Sequence, residues 1–154
     1  MQSKRWQMLN RAARQSPAEW SDLIEAQVAI IAAQLLVWTR PLGRFVSDVP
    51  ISSTGVREPV SARSREWRDA FRTARAVRRA ANYGVIRPKC LVRAVALTRM
   101  LEKRGIYGSR VRVGVQRENG QFSAHAWVEL GERVLGDDAR HVATFARLLD
   151  VQAV

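Results

Sequence analysis

CLVRAVALTRMLEKRG (residues 90–105), RVRVGVQR (110–117), QFSAHAWVEL (121–130) and RVLGD (133–137) follow one another with little chain between them, and their periods differ. The first sets Leu91, Ala94, Val95, Thr98, Met100 and Leu101 at helical spacing. It ends on Gly105, a residue type that stops helices in the left-handed conformation. The second alternates Val111, Val113 and Val115 with polar or small residues, the period of a half-buried strand. Glu118-Asn119-Gly120 carries turn chemistry, so the third stretch reads as the return strand of a hairpin. A tight turn near Gly131 leads into a third strand, and 141–151 reads as a closing helix. This half is therefore helix, three strands, helix, and predicts an α+β fold with a small antiparallel sheet.

Upstream the chain reads as helical. Ser16-Pro17-Ala18-Glu19 is a helix start: the Ser oxygen can cap an orphan amide, Pro fits the first helical position, and Glu lies three residues after the cap. The helix should run to about Thr39. Its apolar residues (Leu23, Val28, Ile30, Ile31, Leu35, Leu36, Val37, Trp38) wrap most of the way round, which predicts cover on more than one side, as a packing helix or as one that docks a membrane or partner. Glu25, Gln27 and Gln34 interrupt the apolar stretch, it is shorter than the roughly 20 residues of a span, and no A-x-A site follows, so we expect neither a transmembrane span nor a secretory signal. Pro41 ends the helix, and residues 47–61 (SDVPISSTGVREPVS) read as a loop. A second helix is expected from 64 to about 83, with Trp67, Phe71, Ala74, Val77 and Ala81 on one face. Arg65, Arg68, Arg72, Arg75 and Arg79 fill the rest, either as solvated surface or as a docking face for an acidic peptide or a phosphate backbone. Residues 1–154 are expected to form one domain, 1–85 mainly helical and 86–154 carrying the helix that starts at Cys90, the strands and the closing helix.

With 26 Lys plus Arg against 14 Asp plus Glu, the net charge of +12 predicts attraction to an anionic partner but does not choose among nucleic acid, membrane and acidic protein. The single Cys excludes an internal disulfide and leaves a free thiol, most at home in a reducing cytoplasm. With one Cys and two His, and no close ligand pairs, a metal site is not expected. There is no Gly-rich phosphate loop, so no nucleotide or other cofactor is expected either.

The remaining chemistry lies in three residue types. A thiol is a useful nucleophile only as thiolate, which a helix N-terminus and a neighbouring imidazole both favour. Pro88 two residues before Cys90 puts the Cys in the first turn of its helix. His125 shares one strand face with Ser123, Trp127 and Glu129, away from Ala124, Ala126, Val128 and Leu130, and that face is the one expected to meet the Cys90 helix. Alone, each also has a bland reading: Cys90 as a small core residue, His125 as a structural imidazole. A carboxylate must fix the imidazole tautomer, and hairpin register offers two. A three-residue loop over 130–132 puts Asp137 opposite His125, whereas a two-residue Gly131-Glu132 turn puts Asp138 there.

Taken together, KCLVRAVALTRMLEKRGI, VRVGV and FSAHAWVELGERVLGDD resemble the leader peptidases of lasso-peptide biosynthesis, within the transglutaminase-like and papain-like cysteine hydrolases. The similarity covers about Cys90 to Asp138. It implies a papain/transglutaminase-like core with Cys90 as nucleophile, His125 as general base and Asp137 as orienting acid, and so favours the three-residue loop. Gly131-Glu132 reverses the order expected in that family. The resemblance further implies hydrolysis of one peptide bond in a precursor peptide, after the residue that follows a leader Thr. It also implies a small polar subsite, an oxyanion donor at the Cys90 amide, and Asn82 or Tyr83 as candidates for a second. The winged-helix-like leader-binding module of the family finds no counterpart in the helical first half. The implied partners are thus a separate leader-recognition protein and an ATP-dependent lasso cyclase. Two rival functions stay open: amide transfer from the same acyl-enzyme, and nucleic-acid binding through the arginine helix, which leaves the Cys, His and Asp order unexplained.

Overall fold

The computed structural model describes residues 17–39, 65–118 and 120–147. The expected cap Ser16 and the loop over 47–61 lie outside the described residues. Three helices come first: α1 (Pro17–Thr39), α2 (Arg65–Tyr83) and α3 (Cys90–Lys103). Strands β1 (Ser109–Glu118), β2 (Gln121–Leu130) and β3 (Arg133–Leu135) follow, then a short helix α4 (Ala139–Val142) and strand β4 (Ala146–Arg147). The sheet is antiparallel with order β3-β2-β1-β4. The chain is thus α+β, with helices packed on a small antiparallel sheet.

The helices form the core with one sheet face. From α1 come Ala26, Ile30 and Ala33, each at 0 % exposure, a stripe spaced for one helix side. Small residues on α2 (Ala70, Ala74, Val77, Ala80, Ala81) allow close approach, and α3 adds Val92, Ala96, Leu97, Met100 and Leu101. Ala126, Val128 and Leu130 of β2 complete the cluster with Leu135 of β3. The buried residues of α1 form that one stripe, while Trp20, Ile24, Val28, Ile31, Leu35 and Trp38 are exposed, so among the described residues its cover is one-sided and leaves the apolar surface that the docking alternative would use. Phe71 is exposed as well, because the buried side of α2 is centred on its alanines. By length and composition α1 could cross a membrane; its acidic residues Asp22 and Glu25 engage charges on α2 and at the end of α3.

Those charges form a joint between the three helices. Arg104, the C-cap of α3, donates from Nη2 to Asp22 Oδ1 (2.8 Å) and Glu25 Oε2 (2.6 Å), and from Nη1 to the fully buried Thr73 Oγ1 (2.7 Å). Arg72 Nε holds the other Asp22 oxygen at 2.6 Å. Burial alone would raise the Asp22 pKa, but hydrogen bonds and charge from Arg72 and Arg104 keep it below the ordinary carboxylate value. Glu25 is lowered likewise, chiefly by its hydrogen bond from Arg104.

The C-terminal end departs from the expected closing helix over 141–151. Helix α4 has four residues, and the chain then turns so that Ala146–Arg147 pairs with Gly114 and Val115 at the free edge of β1. Thr144 helps end the helix: its Oγ1 contacts His141 O and Gln116 Oε1, each at 2.8 Å. Val142 and Phe145 are buried with Trp127 in a second cluster, on the sheet face opposite the helices. Residues 148–151 lie outside the described residues.

Candidate active site

Cys90 is the first residue of α3, and its N-cap, Lys89, makes no side-chain capping bond. The first amides of a helix have no intrahelical acceptor, so the backbone N–H groups around the thiol remain donors. The thiol is partly buried against the main core. It shares a narrow cavity of about 20 Å³, room for about one water, with Arg78, Arg93, Ala126, Gly136 and Asp137.

His125 lies on the other sheet face. Helix α3 covers the face of Ala126 and Val128, so the expectation that His125 points toward the Cys90 helix is corrected: the pleat aims its ring into the second cluster. There it stacks on Trp127 (centroids 6.2 Å apart, 19° between planes), lies 5.2 Å from Phe145, and meets His141 edge-on at 5.2 Å. Gly114, opposite His125 on β1, makes this possible, because a Cβ there would sit 2.8 Å from Phe145 Cβ and 2.9 Å from the Trp127 ring. The Trp127 indole donates to Glu129 Oε1 at 3.0 Å, and Glu129 also accepts from Arg112 (3.1 Å) and Arg147 (3.0 Å). Burial would raise the Glu129 pKa, but these donors and the two arginine charges bring it below the usual value. The platform under His125 is thereby fixed by an ionised carboxylate.

Asp137 joins the two faces. His125 Nε2 and Asp137 Oδ2 are 2.6 Å apart, Asp137 Oδ1 accepts from the Asp138 amide at 2.9 Å, and Arg93 Nη2 of α3 lies 3.8 Å from Oδ2. A carboxylate only accepts, so Nε2 donates and Nδ1 is left as the basic nitrogen. Among the described residues the Cys90 thiol makes no hydrogen bond to the ring.

The turn geometry corrects the expected loop. Leu130 pairs with Arg133, so the turn is the two-residue Gly131-Glu132, and continued register would put Asp138 opposite His125. The ladder instead stops at Leu135, and Gly136 takes φ of 77°, which swings Asp137 toward the imidazole. Asp138 is then free to cap α4, accepting from the Arg140 amide at 2.9 Å. Sequence reasoning missed Arg93, although its place three residues after Cys90 puts it on the same side of the helix. It also missed His141, whose approach depends on the turn at Thr144. Asn82 and Tyr83, the candidate second oxyanion donors, are exposed at the end of α2 and do not line the Cys90 cavity.

The family model of the transglutaminase-like superfamily matches residues 29–150, most of the chain. No curated protein and no solved structure matches it.

Proposed function

We propose that this chain, which belongs to the transglutaminase-like superfamily, is a cysteine peptidase that removes the leader from a lasso-peptide precursor. The observation that carries the reading is the 2.6 Å pairing of His125 with Asp137, whose carboxylate also borders the Cys90 cavity at the start of α3. In the proposed reaction Cys90 loses its proton to His125 Nδ1, and the thiolate attacks the last leader carbonyl. The C–N bond breaks, the core leaves as an amine carrying the proton from His125, and water then hydrolyses the thioester. The amide of Cys90 stabilises the oxyanion. Thiol and imidazole approach the same carboxylate, Asp137, from two sides, and the reading requires that they meet in the substrate complex. Partners in the reading are the precursor, a separate leader-recognition protein and the cyclase that consumes the core, all in a reducing cytoplasm.

The transglutaminase-like membership also favours a second reading, in which an amine rather than water takes the acyl group. One experiment addresses both. Precursor and leader-recognition protein are incubated with the enzyme and an added amine, and products are read by mass. The proposal expects one cut, after the residue following the leader Thr, with a free acid on the leader. Asp137→Asn should lose about 10³–10⁴-fold in kcat through the wrong imidazole tautomer. Asp138→Asn should be nearly normal, because Asn caps a helix as well as Asp does. Leader joined to the added amine would favour transfer, and an active Asp137→Asn would remove the triad.

A further inference from the structure

Helix α2 carries a second feature on the side away from the Cys90 cavity. Arg68, Arg72, Arg75 and Arg79 succeed one another at intervals of four, three and four, which aligns them in a row about 16 Å long at 1.5 Å per residue. They flank a groove of about 410 Å³ between α1 and α2, with Leu23 and the exposed Phe71 among its walls. Arg72 is committed to Asp22. Arg68, Arg75 and Arg79 form no ion pair among the described residues. Three guanidinium groups beside an apolar groove, in a chain of net charge +12, are a surface left short of anions.

We infer that this groove docks an acidic, apolar-containing peptide segment of a partner protein. An extended segment of about five residues spans the row, with carboxylates on the arginines and an apolar side chain against Phe71 and Leu23. The apolar walls favour a peptide over nucleic acid, because a phosphate backbone held on the arginines would leave Leu23 and Phe71 without an apolar partner. The chain's own flanking segments are poor occupants: residues 1–16 hold four basic and no acidic side chains, and residues 40–64 hold four arginines against two acids. The inference is independent of the chemistry at Cys90.

The test is fluorescence anisotropy with a labelled peptide of glutamates interspersed with leucine and phenylalanine. Wild type should bind, and more weakly as salt rises from about 0.05 to about 0.3 M. Replacing Arg68, Arg75 and Arg79 together by Gln should weaken binding about tenfold or more, whereas the three Lys substitutions should keep most of it. Replacing the exposed Arg99, Arg110 and Arg117 by Gln, the same change in charge elsewhere, should alter it less than about twofold. Alkylation of Cys90 and the thermal midpoint should stay unchanged in every variant; if the triple Gln variant does not fold, Arg75→Glu alone should show the same loss. Equal losses in groove and control variants, no binding by wild type, or tighter binding of a thymidine oligonucleotide through the same three arginines would overturn the inference.

Discussion

Asp137 engages both of its oxygens, one on the Asp138 amide and one on His125 Nε2, with Arg93 3.8 Å from the latter. A carboxylate held from two sides orients the ring beside it, so in the proposed reaction Arg93 would be a positioning residue that needs no contact with substrate. Arg93→Gln should lower kcat by about tenfold with KM little changed, and Arg93→Lys, which keeps the charge, should recover part of the loss. Initial rates across precursor concentrations check this; a rise in KM alone would make Arg93 a substrate-binding residue. The pairing of residues 125 and 137 was legible through family likeness but not through register. The period of a strand cannot reveal that Gly136 breaks it, and the two-residue turn taken alone favours the wrong aspartate.

Among the elements, helix α3 and the β1–β2 hairpin were readable because period, turn residues and apolar pattern agree there. What followed β3 was not, since four helical residues and two strand residues carry no period long enough to detect. The face met by the Cys90 helix was misassigned for another reason: both faces of β2 carry large apolar or aromatic residues, and only packing decides which meets a helix. The break at Gly136 is the element on which the carboxylate depends. Gly136→Ala should cost about 1–3 kcal/mol, because an L side chain is strained at φ of 77° and its Cβ would lie 3.2 Å from Leu97 Cδ2. Urea unfolding measures the cost, and peptidase activity should fall further than any lost folded fraction explains. An alanine variant as active as wild type would show that Asp137 reaches His125 without the turn.

Across the whole molecule, the three helices are joined by Arg104, Asp22, Glu25 and Thr73 rather than by apolar contact alone. The folded-state pKa values of Asp22 and Glu25 lie below their ordinary values, so this contribution is present above the unfolded carboxylate range, about 4. It is lost as pH falls through the lower folded values. Wild-type stability should therefore drop in acid, and Arg104→Gln, destabilising by about 3 kcal/mol near neutral pH, should close the gap to wild type as the two carboxylates protonate. Urea midpoints from about pH 7 down to about pH 3 test it; a gap that stays constant would mean that Arg104 acts through packing instead of charge.

The central claim is that Cys90 takes the leader as an acyl group while His125, held by Asp137, manages the proton. Rapid quenching of enzyme, precursor and leader-recognition protein into acid, followed by intact mass spectrometry, tests it most directly. Wild type should show a species equal in mass to the chain plus the leader less one water, mapping to Cys90 and decaying as free leader appears. Cys90→Ala should show neither this adduct nor any cleavage. Free leader and core released by Cys90→Ala, or an adduct on any other residue, would contradict it.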